Sequence, residues 1–397
     1  MADRRQLPPQ IRRVELTRRS GGKPVVRYQL TVDNGAVDGK RKQLRRRYAT
    51  EKDARSALAR IQGQVAAGSF VQPSKLTVEQ ACADWLRSRH KIRPTTGAGY
   101  EYILQPVRGE LGELNVQDLT RRHIDDLILK LRNGELRRAD GRLRKKWSAR
   151  SCNYMVGAIS QVLAQLVAEG RLTRNVALLV DRVPGKPKKF QTFTPEQVQV
   201  VLKGIADNRN RHAWHLALAG LRRGEIAGQR WEDIDLEKGV VRIRTTRVDV
   251  GGRALDQDEP KTAAADRPLP IPPALLVELK AAKARQAAEK LALGEAYEDK
   301  GYVVCDEAGQ PYHPSTLTKL WNAAIRDLDV PQVRLHDARH TCATLMHLQN
   351  VPIALIAAWL GHADVSFTLR TYVHAQPEAL SEAAESFTRL AARKSPS

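Results

Sequence analysis

Leu335-His336-Asp337-Ala338-Arg339-His340-Thr341, then Leu360-Gly361-His362, then Tyr372: this stretch decides how the rest of the chain is read. It gathers histidines, an arginine and a tyrosine into a window of 37 residues, His336 to Tyr372. Apolar residues at Leu345, Leu348, Ile353, Ile356, Ala357 and Leu360 predict helix through it. On a helix, His336, Arg339 and His340 stand at i, i+3 and i+4 and share a face. Cationic donors beside an imidazole on one face suit an anion with several oxygens, and phosphate is the obvious candidate.

Two upstream segments extend the pattern. Gly220-Leu221-Arg222-Arg223-Gly224-Glu225 supplies another arginine, and Pro260-Lys261-Thr262 precedes Arg267-Pro268-Leu269-Pro270-Ile271-Pro272. With His336-x-x-Arg339-His340, Leu360-Gly361-His362 and Tyr372 ten residues further on, this order and spacing resemble the tyrosine recombinases, the phage-integrase family. The resemblance is carried mainly by 194–376 and extends over 76–178. Over 11–70 it rests on strand-strand-helix order and charge. Ala219 stands where the family commonly has Thr, and Ala338 where it has Leu; neither change touches a charged group.

Composition points the same way. The 397 residues are enough for two or three domains. Net charge is +22, and residues 1–60 alone hold 17 Lys+Arg against 6 Asp+Glu. An asymmetry of that size points to a polyanion, nucleic acid before membrane. Cys82, Cys152, Cys305 and Cys342 are far apart, which argues against a zinc ribbon or a disulfide framework and for reduced thiols in a cytosol. No apolar run approaches the roughly 20 residues needed to span a bilayer, and the polar N-terminus does not read as a signal peptide. No P-loop is present, since Gly185-Lys186 and Gly22-Lys23 both run into proline. The expectation is a protein that needs no ATP and no cofactor, working in a bacterial cytoplasm on the nucleoid.

The expected fold is multidomain α+β, with divisions at 1–70, 76–180, 181–192 and 193–397. Ile11–Arg18, the alternating Val26, Tyr28, Leu30 and Val32, and the basic Lys40–Tyr48 predict three strands. Thr50-x-x-Asp53 then opens a helix with Ala54, Leu58, Ile61 and Val65 on one face. The resemblance implies an arm-type DNA-binding domain here, and Arg45, Arg46 and Arg47 are its candidate DNA contacts. After a linker at Pro73–Lys75, helices are predicted from Thr77-x-x-Gln80 and at about 95–105, 120–132 and 149–169. They make an all-α domain, similar to the family's SAM-like core-binding domain. Between its helices, Asp140-Gly141 turns a basic loop in which Arg144, Lys145 and Lys146 are candidate phosphate contacts. The stretch 181–192, with Lys188 and Lys189, has the composition of a linker that tracks DNA backbone. Thr194-Pro195-Glu196 marks a helix start. From there a mainly α domain with a small sheet near 240–247 and 267–272 runs to the end. The six tryptophans read as core, and His313 as structural.

Breaking a phosphodiester requires a nucleophile, neutralisation of charge on the non-bridging oxygens, and a proton for the leaving oxygen. The motifs hold no plausible Asp/Glu metal cluster, so no metal is expected; they offer guanidinium groups instead. Arg222 and Arg339 can each make paired hydrogen bonds to phosphate oxygens, and His362 can add a further contact. Tyr372 is the candidate nucleophile, although only about one tyrosine in a thousand is ionised at pH 7 at its ordinary pKa. Neighbouring cations lower that pKa, and His336 can accept the proton. Lys261 can protonate the leaving oxygen. The resemblance implies these same roles and puts Lys261 on a β-hairpin; which of His336 and Lys261 acts at which step stays open. Glu225 reads as a buried carboxylate orienting Arg222, and His340 as a supporting residue. A zinc site on His336 and His340 is disfavoured because Arg339 on the same face would repel the ion.

A 3′-phosphotyrosyl bond preserves the phosphodiester energy, so a 5′ hydroxyl from another DNA can reverse the step and exchange strands. The family resemblance implies a phage or mobile-element integrase acting as a homotetramer through a Holliday junction on double-stranded DNA. It would use core-type and arm-type sites, with an excisionase and a host DNA-bending protein as possible partners. The tail with Ala379, Leu380, Ala383, Phe387, Leu390 and Ala391 at helical spacing would dock on a neighbouring protomer or on its own domain. A type IB-like topoisomerase and a non-enzymatic DNA-binding regulator are the competing readings.

Overall fold

The computed structural model describes residues 6–20, 23–37, 40–66, 70–138, 140–185, 190–257 and 266–362. Candidate residues Lys188, Lys189, Lys261 and Tyr372, and the tail from 379, lie outside them. The chain divides into two compact units, 1–186 and 187–397, described separately below.

The first unit begins with an antiparallel meander, β1 (Ile11–Ser20), β2 (Lys23–Val37) and β3 (Lys40–Tyr48), in spatial order. Alternation in β2 turns Leu30 into the core, where it is fully buried beside Ile11. α1 (Glu51–Ala66) closes this small core with Ala54, Ala57, Leu58 and Ile61. Its start is capped by Thr50, whose Oγ1 accepts from the Asp53 amide at 3.2 Å. The Asp53 carboxylate accepts from the Thr50 hydroxyl at 2.8 Å, where a full capping box would have it accept from the Thr50 amide. Val65 departs from expectation: one turn beyond the buried Ile61, it is exposed.

A second, larger core is built by α2 (Val78–Arg87), α3 (Pro94–Leu111), α4 (Arg121–Asn133) and α5 (Ala149–Ala168). Thr77 and Gln80 form the expected reciprocal cap, and Thr120 with His123 forms another. α3 runs one and a half turns further than its sequence suggested, because Pro106 is carried inside the helix with its ring buried. The stretch at 72–76 is also more than a tether. Gln117 donates to the Gln72 carbonyl and accepts from the Ser74 amide, and Leu76 is buried. Between α4 and α5 the basic loop is a hairpin: the Arg138 amide donates to Arg142 O at 2.8 Å, and Asp140 caps the turn.

The second unit contains α6 (Pro195–Gly204), α7 (Arg211–Leu218) and α8 (Arg223–Gly228), a sheet, and further helices. α6 starts at a Thr194–Gln197 capping box with Pro195 in its first turn. The sheet orders β4 (Ile234–Asp235), β5 (Val240–Ile243) and β8 (Arg267–Pro270), all antiparallel. A separate hairpin joins β6 (Thr246–Val250) to β7 (Arg253–Gln257). Gly224 and Gly228 let α8 press against β6: a Cβ on either would lie 2.9 Å from backbone atoms of Arg247. α9 (Pro273–Leu293), α10 (Pro314–Ala324), α11 (Leu335–Leu348) and α12 (Ile353–Leu360) complete the described fold. Trp214 and Trp321 meet edge-on at 5.5 Å in its core.

The window that opened the sequence reading is two helices, broken where Asn350 takes φ 59° and Pro352 follows. The break leaves Leu348, expected on the apolar face, exposed. Trp231 and Trp359 are half-buried, and each spends its indole N–H on a specific partner, Gln286 and the Ala219 carbonyl. His313 caps α10 by accepting from the Ser315 amide. The four cysteines are buried free thiols. Among the described residues no helix is long and apolar enough to cross a membrane.

Candidate active site

Glu225, in the first turn of α8, is 2% exposed and meets three guanidinium groups. Its carboxylate accepts from the Arg222 amide at 2.8 Å and from Arg222 Nη1 at 2.6 Å. Arg267, at the start of β8, donates Nη1 and Nη2 to its two oxygens at 3.3 Å each. Arg339, on α11, brings Nη1 to 3.9 Å. Burial acts to raise the Glu225 pKa, but Arg267, then Arg222 and Arg339, outweigh it and hold the carboxyl below its ordinary value. The three guanidinium groups and the one carboxylate together carry a charge of +2, which suits an anion.

Backbone carbonyls hold the same arginines. Arg339 donates from Nη1 to Gly220 O at 2.7 Å and from Nη2 to Leu360 O. Arg222 donates from Nη2 to Gly361 O at 3.0 Å. Arg267 donates from Nε to Trp359 O at 2.7 Å. The segments 219–222 and 359–362 are thereby fastened to one another through the arginines, and Trp359 Nε1 adds a direct bond to Ala219 O at 2.8 Å. Gly361 ends α12 at φ 64°, a left-handed turn that reverses the chain into His362. The arginines differ in depth: the Arg222 side chain is 35% exposed, that of Arg339 only 4%.

Gly220 is required by its conformation and its surroundings. It sits at φ 98°, and a Cβ there would lie 2.9 Å from Leu360 Cδ2 and 3.2 Å from Cys342 Sγ. Gly220→Ala is expected to lower stability by about 1–3 kcal/mol. It should also displace the carbonyl that Arg339 holds. A thermal melt and a covalent-adduct assay check the two effects; a melt within a degree of wild type contradicts the strain argument.

The histidines lie round this cluster. His336 keeps solvent access in the first turn of α11, and its ring meets that of His340 edge-on at 5.4 Å. His340 also stacks on Phe190 at 4.7 Å. Burial, then Arg339, lowers the His336 pKa. Burial, then His336, brings His340 to about 4, and burial, then Arg339 and Arg222, brings His362 to about 4. All three are therefore neutral near pH 7, when an imidazole can accept a proton at one nitrogen and donate at the other. Among the described residues no cluster of three or more His, Cys, Asp or Glu could hold a metal ion.

Residues 191–379 match the phage integrase family, and residues 18–65 match an arm DNA-binding domain. Residues 191–379 form a phage integrase family domain. The chain is 32% identical over 226 residues to a XerC-like tyrosine recombinase of Caldanaerobacter subterraneus subsp. tengcongensis. That alignment takes in 52% of this chain and 58% of the relative, so the chain spans little more than half of that protein's length. Its fold is similar to that of the Tn1549 transposon integrase solved with transposon right end DNA (TM-score 0.63, 19% identity, 80% of this chain and 100% of the other). It is also similar to lambda integrase solved as a tetramer on a Holliday junction (TM-score 0.56, 15% identity, 93% of this chain and 96% of the other).

Within this integrase-family domain Arg222 and Arg339 meet at Glu225, His336 and His362 lie close enough to both arginines to feel their charge, and His340 packs beside His336. Lys261 and Tyr372 are outside the described residues. The remaining candidates lie in the first unit. Register splits the arginine run of β3: Arg45 and Arg47 face the way of Thr31 and Gln29, while Arg46 pairs with Leu30 on the side that α1 covers. All three are exposed. Lys145 and Lys146 are exposed on the hairpin, and Arg144 lies 5.9 Å from the Trp147 ring. Arg267 was missed by sequence reasoning. Its signal was there: in Arg267-Pro268-Leu269, period two puts the arginine on the same inward side as Leu269.

Proposed function

We propose that the chain is a site-specific recombinase that cleaves and rejoins DNA through a 3′-phosphotyrosyl intermediate, integrating and excising a phage or other mobile genetic element. The observation that carries this is the buried Glu225 ringed by Arg222, Arg267 and Arg339, with two of those arginines anchoring the turn that leads into His362. Arg222, Arg339 and His362 bind the scissile phosphate and stabilise the charge that develops on its oxygens. Tyr372 attacks, His336 and Lys261 move the protons, and Glu225 and His340 position their neighbours. The reaction needs no metal, no ATP and no other cofactor.

Four protomers would assemble on two duplexes and exchange strands pairwise through a Holliday junction, as the lambda integrase tetramer was solved on one. Residues 1–70 would hold arm-type sites, and 76–180 together with 193–397 would clamp core-type sites, with the basic stretch 181–192 along the backbone. An excisionase and a host DNA-bending protein are the natural accessory partners, and the bacterial cytoplasm, at the nucleoid, the natural location.

The test uses a nicked suicide duplex carrying the short direct repeat that borders the element, without Mg²⁺. Wild type is expected to give a slow, protease-sensitive DNA band on a denaturing gel, and Tyr372→Phe none. A band surviving in Tyr372→Phe means another nucleophile. A native-gel shift with no adduct from wild type would make the chain a DNA-binding regulator. Relaxation of any supercoiled plasmid, with no dependence on the repeat, would make it a topoisomerase.

A further inference from the structure

We propose that Arg267 is a positioning residue for phosphate cleavage, tying the Glu225 carboxylate to the Trp359 backbone and thereby locking Arg222, Arg339 and the turn before His362 into one unit. The inference rests on the function proposed above and adds to it a role for Arg267, to which the sequence pattern assigned none.

The geometry is a closed loop. Arg267 holds Trp359 O through Nε and both Glu225 oxygens through its fork. Trp359 reaches Ala219 O through its indole, and the next carbonyl, Gly220 O, accepts from Arg339. Arg339 returns to Glu225 and also holds Leu360 O, one residue beyond Trp359. A side chain that could serve only one of these partners would open the loop. Arg267 spends Nε on Trp359 O and both Nη atoms on the Glu225 carboxylate, which turns its fork toward that carboxylate. It acts on the site through Glu225 and Trp359 rather than by touching substrate.

A buried arginine in a four-residue strand is costly unless its charge and its hydrogen bonds are met. Here Nε, Nη1 and Nη2 all have acceptors, two of them the oxygens of one carboxylate in the fork geometry that suits guanidinium. Its charge also counts. Without Arg267, Glu225 would neutralise one of the two remaining arginines and leave a single positive charge where two now stand. Removal should therefore weaken transition-state stabilisation of a charged phosphate more than that of a neutral one.

The experiment measures single-turnover adduct formation on the nicked suicide duplex, with either a normal scissile phosphate or a methylphosphonate, which lacks the charge. Arg267→Met is expected to slow cleavage of the phosphate by roughly 10- to 100-fold, less than the loss of a direct donor. On the methylphosphonate the slowing should shrink to a fewfold at most, with site affinity on native gels close to wild type. Arg267→Lys keeps the charge but cannot serve Trp359 and Glu225 together, so the misplaced Arg222 and Arg339 should still slow cleavage of the phosphate more than that of the methylphosphonate, by a smaller factor than in Arg267→Met; it carries the test if the methionine variant does not fold. Equal slowing on both substrates would reduce Arg267 to a structural strut and overturn the proposal, as would a wild-type rate on the phosphate. No adduct from wild type itself removes the functional reading and this inference with it.

Discussion

Replacing Glu225 with alanine should cost the 187–397 unit about 3–5 kcal/mol, the range for breaking a buried ionic group while its partners stay behind. Three guanidinium groups converge on this one carboxylate, and two of them, Arg267 and Arg339, are almost wholly buried. Without it, their mutual repulsion is unscreened by solvent. Glu225→Gln keeps the shape and one acceptor oxygen but not the charge, so it should lose somewhat less. Hydrogen exchange of peptides covering α7, α8 and α11 would localise the effect, and urea unfolding would size it. The pH dependence has a definite sign. The Glu225 pKa is depressed in the fold, so its stabilisation is complete above the ordinary carboxylate range and is lost as pH falls through the depressed value. The gap between wild type and Glu225→Gln should accordingly be flat from about pH 6 to 8 and close only in acid. A variant as stable as wild type at pH 7 would mean that the arginines spread apart at little cost.

That carboxylate also shows how far sequence alone could go. Gly220-Leu221-Arg222-Arg223-Gly224-Glu225 was enough to read Glu225 as the buried partner of Arg222, because a carboxylate facing phosphate would oppose binding. It was not enough to find Arg267, which reaches Glu225 across 42 residues from a different strand. Local pattern reports what lies within a turn of helix or along a strand; it does not report which strand ends beneath which helix. The same limit explains the N-terminal strands. Alternation in Val26, Tyr28, Leu30 and Val32 identified β2 and its inward face. Which of Arg45, Arg46 and Arg47 turns away from α1 depends on pairing register with β2, and that shifts at an irregularity between Asp33 and Ala36. Caps were legible at Thr77, from Thr77-x-x-Gln80, and at Thr194, from the proline that follows it, because both signals are complete within four residues. The extension of α3 through Pro106 was not, because tertiary burial decided it.

Arg339 and Arg222 should separate stability from chemistry. Arg339→Ala removes the donor from two backbone carbonyls, Gly220 O and Leu360 O, in a side-chain site that is 4% exposed. Each buried acceptor left without a partner costs roughly 1–3 kcal/mol, so the variant should be destabilised by several kcal/mol. Its cleavage should fall by at least 100- to 1000-fold, about the loss seen when one preorganised donor to developing charge is removed. Arg222→Ala gives up a partly exposed side chain whose partners include only one backbone carbonyl. It should lose a similar factor in cleavage with a much smaller change in unfolding free energy. Added guanidinium at low millimolar concentration offers a further contrast. The cavity left by Arg339→Ala is lined by fixed carbonyl acceptors and should recover some activity, whereas the more open Arg222 position should recover less. Equal stability losses in the two variants would show that depth of burial does not set their roles. Full-rate cleavage by Arg339→Ala would remove that arginine from the phosphate site.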